Sequence, residues 1–297
     1  MNAVGRLPEQ NESPENLPPT KTYLVRTMLA MIRVSVTRSN RSFHDMPFVF
    51  LILVSPMLYF LRFRGLLKTP IGTVRISSQE SMRSFVYGLF KTHFWYLRKM
   101  GEFLPRTHLF SNVFDVGACL GDFTLAMARQ CGRIIAVEPG AENFSILCSN
   151  LRINSITNVT PLNVAAHDGS NELRLSGNAS DLRVSRLGVG QHVKGVSLDT
   201  VIADLGIDYV DLIKIDVQGH EKVVLDGLAN ALAKHRVRLV IVEVHAQRNV
   251  AVEDVTSLMG FYGYNLVTRD NYFFHQSQLY FSDDRAVWNK VLSDFKK

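Results

Sequence analysis

The chain has 297 residues, of which 46% are hydrophobic and 20% charged, the balance of a folded chain with a substantial core. Its three cysteines (Cys119, Cys131 and Cys148) are odd in number and form no CxxC pair, which excludes a disulfide framework and a cysteine zinc site and indicates a reducing, cytoplasmic location. The net charge of +6 is concentrated in the first hundred residues, where 14 Lys/Arg stand against 5 Asp/Glu, and such a segment favours an anionic partner, either a membrane or a nucleic acid.

Residues 1–20 are predicted to form a disordered tail, because they hold four prolines and almost no apolar residues. They also lack the apolar run that a secretory signal has near its start. Residues 21–68 follow as a basic and apolar segment that is predicted to be helical. Its first part has apolar residues at helical spacing with Arg26 and Arg33 on another side, which fits equally a helix on an anionic bilayer and a helix packed on its own domain.

The most apolar part of this segment is residues 46–61, a run of sixteen residues without a charge. A helix of that length spans roughly 24 Å at 1.5 Å per residue, against roughly 30 Å of hydrocarbon, and Pro56 lies in its interior. We therefore favour a monotopic or re-entrant membrane anchor, then a buried helical hairpin, and third a membrane span. The expected partner of residues 21–68 is a membrane surface; no nucleic acid is expected, because the stretch is too apolar for such a surface.

Residues 69–108 are predicted to form a helical lid or cap. They begin with a short strand, GTVRI, and continue as a helix from residue 81 to residue 100 with apolar and aromatic residues around most of its circumference. A helix so apolar is more often packed on a core than used for stacking bases.

Residues 109–297 alternate between strand and helix patterns and are predicted to form the main domain. The predicted strands are 113–117, 133–137, 159–165, 210–217, 238–244, 264–268 and 278–282, and the predicted helices are 121–130, 141–153, 220–233 and 251–261. This alternation indicates an α/β fold with βαβ units around a mostly parallel sheet. The last two strands are too close together for a helical crossover and are expected to be antiparallel. A hairpin-like insert, ELRLSG and its neighbours, falls between the third and fourth strands.

A tight turn after the first strand, with the sequence DVGACLGDF, favours a nucleotide-like ligand. Gly117 and Gly121 allow bare backbone to come close to a ligand, because glycine has no Cβ. Glu138, which follows the second strand, is placed to accept hydrogen bonds from both hydroxyls of a ribose. The NAD fingerprint needs glycines at the positions of Cys119 and Asp122, so a pyrophosphate finds no cradle here.

S-adenosylmethionine fits this pattern better, since its sulfonium and ammonium groups favour carboxylate and carbonyl neighbours. Asp115 stands just before the turn, where it can serve that role. The third strand ends in NVAAHDG, where the small Ala165 and Ala166 leave room for an adenine and Asp168 is placed to bind its amine. Three successive strand ends therefore agree on a Rossmann-like methyltransferase.

The motifs in this region together resemble the FkbM-type S-adenosylmethionine-dependent methyltransferases. The family pattern DVGANxGxF, FEP, an asparagine-rich helix end, SLDxL, KIDVEGxE and a strand ending in Glu corresponds here to DVGACLGDF, VEP, NLRIN, SLDTV, KIDVQGHE and VIVEVH. The resemblance covers residues 112–245. It implies a class I methyltransferase with a seven-stranded, mostly parallel sheet and a helical N-terminal extension, and it implies O-methylation of a hydroxyl on a sugar, a glycan or another small metabolite.

The resemblance and the strand-end pattern together assign the site residues. Those expected to bind S-adenosylmethionine are Asp115, Gly117, Ala118, Cys119, Gly121, Phe123, Glu138, Pro139, Ala166, His167 and Asp168. Those expected in catalysis are Lys214, Asp216, Glu221 and His245. Two positions depart from the family pattern. Cys119 replaces Asn with a similar volume and an unchanged backbone, whereas Gln218 replaces Glu and removes a carboxylate, which weakens any base or metal role there.

A hydroxyl that receives a methyl group must lose its proton, and Asp216 and His245 are the candidate bases because each follows a central strand. His245 is expected to have the better pKa for this task. Alternatively, Asp216 caps the next helix and His245 is a solvated or capping residue. The two side chains and Glu243 could ligate a divalent cation, but no dedicated motif supports this and no metal ligand is predicted.

A competing hypothesis is a non-catalytic, membrane-associated protein that binds the cofactor or a glycan on a retained methyltransferase fold.

Overall fold

The computed structural model describes residues 61–91, 110–169, 171–177, 182–185, 189–248, 250–272 and 276–284. The strands are β1 (Gly65–Thr69), β2 (Gly72–Ile76), β3 (Phe110–Val116), β4 (Cys131–Val137), β5 (Val159–Leu162), β6 (Ala165–Ala166), β7 (Glu172–Ser176), β8 (Arg183–Val184), β9 (Gln191–Val196), β10 (Val210–Ile215), β11 (Val237–His245), β12 (Asn265–Tyr272) and β13 (Gln276–Ser282). The helices are α1 (Gln79–Lys91), α2 (Asp122–Met127), α3 (Ala141–Ile153), α4 (Leu198–Asp204), α5 (Glu221–Asp226), α6 (Ala229–Ala233) and α7 (Val252–Phe261), and one turn of 3₁₀-helix, Ala246–Arg248, follows β11.

The centre of the fold is a seven-stranded sheet with the order β12–β13–β11–β10–β3–β4–β5. The five strands from β11 to β5 run parallel, and β13 is antiparallel to both β11 and β12. Every residue of β10 is buried, as expected for a central parallel strand covered on both faces. The predicted Rossmann-like, mostly parallel sheet with an antiparallel final pair is confirmed.

Helices cover the sheet on both faces because its side chains alternate between two cores. One core joins Phe114, Ile135 and Ile213 to α4, α5, α6 and α7. Another joins Val113, Leu212 and Ile241 to α2. The prediction of one helix over residues 220–233 is wrong in detail, because the chain turns at Gly227 and forms the two short helices α5 and α6.

The predicted third strand, residues 159–165, is also shorter than expected. β5 ends at Leu162, and Ala165–Ala166 leave the main sheet to pair in parallel with β9. β9 in turn pairs with β7, and β7 with β8, so the predicted hairpin-like insert belongs to a separate four-stranded sheet.

The segment before the main domain contains a β-hairpin and a helix. β1 and β2 pair in antiparallel register. The prediction of a helical segment over residues 21–68 is therefore wrong for its last residues, which form the strand β1. The expected strand GTVRI is β2, and the expected helix is α1 as far as Lys91; residues 92–100 of that prediction lie outside the described residues, and the role as a lid stays a prediction. The apolar face of α1 packs with the hairpin, the turn after β3 and α3 in one core.

Two asparagines of the NLRIN motif attach this hairpin to the main domain. Asn150 is fully buried; it accepts a hydrogen bond from the Arg75 amide at 2.7 Å and donates one to the Leu120 carbonyl at 2.9 Å. Asn154 exchanges two hydrogen bonds with the backbone of Thr73, at 2.8 and 2.7 Å. The asparagine-rich helix end therefore satisfies the otherwise open edge of β2 and also supports the turn after β3.

The predicted membrane contact lies almost wholly in residues 21–60, outside the described residues, and stays a prediction. Within the described ranges, no helix is both long and apolar enough to cross a bilayer.

Replacing Asn150 by Ala leaves the Arg75 amide and the buried Leu120 carbonyl without this partner, so we expect a loss of about 1–3 kcal/mol in the free energy of unfolding. Urea denaturation followed by circular dichroism measures this loss. The matched control is Asn230→Ala at an exposed position of α6, which should change the value by less than about 0.5 kcal/mol. Equal effects of the two substitutions would contradict the role given to Asn150.

Candidate active site

The turn after β3 is held against the ends of β4 and β10. The amides of Gly117 and Ala118 both donate to the Val137 carbonyl, at 2.9 and 3.0 Å. Gly117 has φ 79°, and a Cβ added there would lie 1.9 Å from the Asp216 carbonyl oxygen. Glycine is therefore required so that this turn can pack against the turn after β10. At Gly121, with φ 91°, a Cβ would meet Leu147 at 2.6 Å.

Glu138 joins the turn to the start of α3. Its Oε2 accepts a hydrogen bond from the Cys119 amide at 2.8 Å, and its Oε1 accepts from the Gly140 amide at 2.8 Å and from Asn143 at 3.2 Å. The residue is 4% exposed. Burial raises the pKa of Glu138 to about 7, against the lowering effect of these donors. The predicted ribose acceptor thus has a fixed orientation and a protonation state that changes near neutral pH.

Cys119 adopts the left-handed backbone conformation, with φ 50°. Among residues with a side chain, Asn enters this region far more readily than most, which gives a physical reason for the Asn that the family pattern has here. The backbone amide still reaches Glu138, as expected. Burial, with Glu138 and Asp122 nearby, raises the pKa of the Cys119 thiol well above its usual range, so the thiol stays protonated.

The alternation of strand side chains brings the main polar groups to the face that α1 and α2 cover. Asp115 on β3 lies opposite Lys214 on β10, and Glu243 and His245 follow on β11 with the same orientation. α1 crosses α2 closely: a Cβ on Gly88 would lie 2.5 Å from the Asp122 carboxylate.

Asp115 is fully buried, and protein groups contact both of its oxygens. Lys214 Nζ donates to Oδ1 at 3.1 Å and to the Gly117 carbonyl at 3.1 Å, and the Thr124 hydroxyl donates to Oδ2 at 2.6 Å. Burial lowers the pKa of Lys214, but Asp115 and Asp216 outweigh it and raise that pKa above its usual range. Asp115 and Lys214 together fix the turn, and the expected contact of Asp115 with the cofactor stays a prediction.

Lys91, at the end of α1, bridges the carboxylates at the ends of β10 and β11. Its Nζ lies 2.8 Å from Asp216 Oδ2 and 2.8 Å from Glu243 Oε2. The ring of Tyr87 lies beneath this ammonium, with its centroid 5.0 Å from Nζ. Burial would raise the pKa of Asp216, but Lys91 and Lys214 hold it below its usual range.

His245 is fully buried and is oriented by Glu221. Its Nδ1 lies 2.7 Å from Glu221 Oε1, which also accepts the Gly219 amide at 3.0 Å. Burial lowers the pKa of His245, but Glu221, Glu243 and Asp216 outweigh it and raise that pKa to about 9. The expectation that His245 has a pKa suited to a base near neutrality is therefore wrong for this arrangement, because an imidazolium cannot accept a proton. Glu221 is a positioning residue for His245.

Gln218, the second departure from the family pattern, lies beside Asp216 with φ 55°. Its Nε2 is 3.4 Å from Asp216 Oδ1, at the long limit of a hydrogen bond. The side chain adds a donor next to this carboxylate instead of a further negative charge. The alternative that Asp216 caps the next helix is not what the contacts show, because α5 has no side-chain cap.

The remaining predicted cofactor residues fall into two groups. Phe123, on α2, is 1% exposed and packs against Val113 and Leu212 of the central sheet, and its expected contact with the cofactor stays a prediction. His167 lies near the other strand ends, with its ring 5.1 Å from that of His220 and its Nδ1 2.5 Å from Asp168. Asp168 is half exposed and therefore open to a ligand.

The chain between these groups is fixed by side-chain amides. Asn163 donates to the carbonyls of Glu138 and Pro139, at 2.8 and 3.2 Å. Ala166 is 7% exposed on β6. β4 and β5 therefore end side by side, as the sequence predicted, whereas Ala165 and Ala166 follow β5 in the smaller sheet beside β9.

The sequence did not point to Lys91 or Thr124. The signal for Lys91 was present, because it is the one Lys, Arg, Asp or Glu between Arg83 and Arg98. A lysine in an otherwise apolar helix needs a buried partner. Glu243 was considered only as a cation ligand, although a carboxylate on the buried part of β11 also needs a buried partner of opposite charge.

Comparison with known proteins agrees with this geometry. A profile of the family described as the methyltransferase FkbM domain matches residues 115–266. Hexuronic acid methyltransferase AglP of Haloferax volcanii is 30% identical over 152 residues, which are 50% of this chain and 60% of that protein. AMB antimetabolite synthetase AmbE of Pseudomonas aeruginosa is 50% identical over 54 residues, which are 18% of this chain and 2% of that protein.

The chain therefore spans less than two thirds of the length of either curated relative. Among solved structures, M. capricolum TrmK in complex with S-adenosyl-homocysteine superposes with a TM-score of 0.42 at 11% identity, over 64% of this chain and 68% of that one. The family profile covers more than half of the chain and contains the turn after β3, Glu138 and the Lys214–Glu221 motif. The chain belongs to the FkbM methyltransferase family.

Proposed function

We propose that the chain is an S-adenosylmethionine-dependent O-methyltransferase that acts on a hydroxyl of a sugar, a glycan or another small metabolite. The observation that carries the proposal is the contact between the turns after β3 and β10, where Gly117 leaves no room for a Cβ beside the Asp216 carbonyl. A nucleoside site at Glu138 and a reaction site at Asp216 thereby share one edge of the sheet, where open α/β sheets bind ligands.

The residues at Glu138 fit S-adenosylmethionine in their chemistry. The Glu138 carboxylate is an acceptor set beside the turn, and a Cβ on Gly140 would lie 2.9 Å from its Oε1, so glycine keeps room at this carboxylate. When bound, the cofactor supplies a methyl group on a sulfonium. In the proposal, Glu138 accepts the ribose hydroxyls, and Asp115 with Lys214 keeps the turn in place.

Asp216 is the residue that we assign to the acceptor. Its carboxylate is charged at neutral pH because Lys91 and Lys214 lower its pKa, so it can accept a hydrogen bond from a hydroxyl and orient the oxygen for in-line attack. The hydroxyl proton becomes far more acidic as the new C–O bond forms, so even a weak base such as Asp216 can take it late in the reaction. His245 then acts as a fixed neighbour of Asp216, with its Nε2 3.7 Å from Oδ1.

A sugar acceptor is supported by the relative described as a hexuronic acid methyltransferase. The walls of the proposed acceptor site are also polar, with Tyr87 donating to Gln276 at 2.8 Å beside Lys91. Sugars are recognised by such groups, because each hydroxyl needs a partner when it leaves water.

Replacement of Asp216 by Asn should separate binding from transfer. We expect the affinity for S-adenosylhomocysteine to stay within about threefold, while transfer of labelled methyl from S-adenosylmethionine to a panel of free and lipid-linked glycans falls by about 10²–10⁴-fold. Asp204→Asn, at an exposed position of α4, is the matched control and should keep both activities. Full transfer by Asp216→Asn would remove Asp216 from the mechanism. Cofactor binding by the wild-type protein without transfer to any acceptor would favour the non-catalytic alternative.

The pKa of about 7 at Glu138 predicts how cofactor binding depends on pH. The ribose hydroxyls donate to the carboxylate form, so protonation below pH 7 competes with binding, and the Kd for S-adenosylhomocysteine should rise by up to about tenfold for each pH unit below 7. Above pH 7 the Kd should be constant. Calorimetric titration between pH 5.5 and 8.5 measures this dependence.

Glu138→Gln is the control for that series, because it keeps the shape of the side chain and removes the charge. It should bind more weakly at pH 8 and show little change with pH. A pH dependence in this variant equal to that of the wild-type protein would assign the titration to another group.

A further inference from the structure

Three side chains at the ends of β10 and β11 converge in one buried place. One oxygen each from Asp216 and Glu243 and one nitrogen from His245 lie within 4.8 Å of one another. His245 Nε2 is 3.7 Å from Asp216 Oδ1 and 3.6 Å from Glu243 Oε1. We propose that these three residues form a binding site for one divalent cation of the magnesium or manganese type.

The state of His245 argues for a ligand at this place. Its side chain is fully buried, and its Nε2 has no hydrogen-bond partner although it points between two carboxylates. The other ring nitrogen, Nδ1, is held by Glu221 at 2.7 Å. Histidines that bind metals almost always present one nitrogen to the ion and donate the other N–H to such a carboxylate.

Lys91 is the counterion of two of these ligands in the cation-free state. Its Nζ lies 2.8 Å from Asp216 Oδ2 and 2.8 Å from Glu243 Oε2, whereas His245 Nε2 faces Asp216 Oδ1 and Glu243 Oε1, so Lys91 and a cation compete for the same two carboxylates. A lysine side chain has four rotatable methylene groups and can leave without a backbone movement. Cation binding therefore displaces the ammonium of Lys91 from the two carboxylates.

The chemistry of the ligands selects the type of cation. The two carboxylates suit the hard cations Mg²⁺ and Mn²⁺, and the imidazole makes Mn²⁺ the better match of the two; either ion keeps water or substrate oxygens at its remaining positions. Such an ion would bind and acidify the acceptor hydroxyl next to Asp216, a role that rests on the proposed function. The cation site itself does not depend on that function and is tested separately.

The experiment is a titration of the full-length protein with Mn²⁺ alone, in which electron paramagnetic resonance measures the free ion. We expect one tightly held Mn²⁺ per chain, competed by Mg²⁺. His245→Gln and Asp216→Asn should each weaken binding by at least about tenfold, since even the partners of metal ligands contribute that much. Lys91→Met should bind at least about threefold more tightly, because its competing charge is gone.

Matched controls are Lys234→Met and Asp204→Asn, both at exposed positions, which should leave the Kd for Mn²⁺ unchanged. The melting temperature gives a second measurement. In EDTA, Lys91→Met should melt below the wild-type protein, and Mn²⁺ should raise its melting temperature by more than it raises that of the wild-type protein.

Absence of stoichiometric Mn²⁺ binding by the wild-type protein would overturn the proposal and leave Lys91 as a permanent counterion. Binding that is equal in the wild-type protein, His245→Gln and Asp216→Asn would overturn it as well, because the ion would lie elsewhere. Stoichiometric binding without any methyl transfer would keep the cation site and reject the proposed function.

Discussion

The structure depends on the neutralisation of carboxylates that the parallel sheet buries. Asp216 and Glu243 end two adjacent central strands, and one ammonium, Lys91 Nζ, lies 2.8 Å from each of them. Breaking such a pair leaves an uncompensated charge and typically costs about 3–5 kcal/mol. The same contact fixes α1 on the sheet, so the helix before the main domain contributes a side chain to the candidate active site and is not only a cover.

The site has two halves with different physical characters. Around Glu138, backbone amides and side-chain amides orient one carboxylate, as suits the recognition of a neutral ribose. Around Asp216, side-chain charges of both signs are packed without water-exposed partners, as suits a place where charge moves during a reaction. Gly117 joins the halves, because the absent Cβ lets the turn after β3 rest on the backbone of Asp216.

Local patterns made the sheet, the turn and Glu138 predictable, because strand alternation and the glycine spacing act over a few residues. Contacts between distant segments were not predictable. Lys91 is 125 and 152 residues away from its two partners, and its role follows only from how α1 crosses α2. The prediction for the pKa of His245 was wrong for the same reason, since Glu221, which raises that pKa, is 24 residues away along the chain. Cys119 is an intermediate case: its left-handed backbone is a local property that the Asn of the family pattern already indicates.

In our proposal, the nucleoside site at Glu138 and the charged cluster at Asp216 are two halves of one active site that meet across Gly117. A crystal structure of the full-length protein with S-adenosylhomocysteine tests this most directly. We predict that both ribose hydroxyls lie within hydrogen-bond distance of Glu138 and that the sulfur faces Asp216 and Lys91 over the turn after β3. A nucleoside bound away from Glu138, or a sulfur directed away from Asp216, would contradict the account.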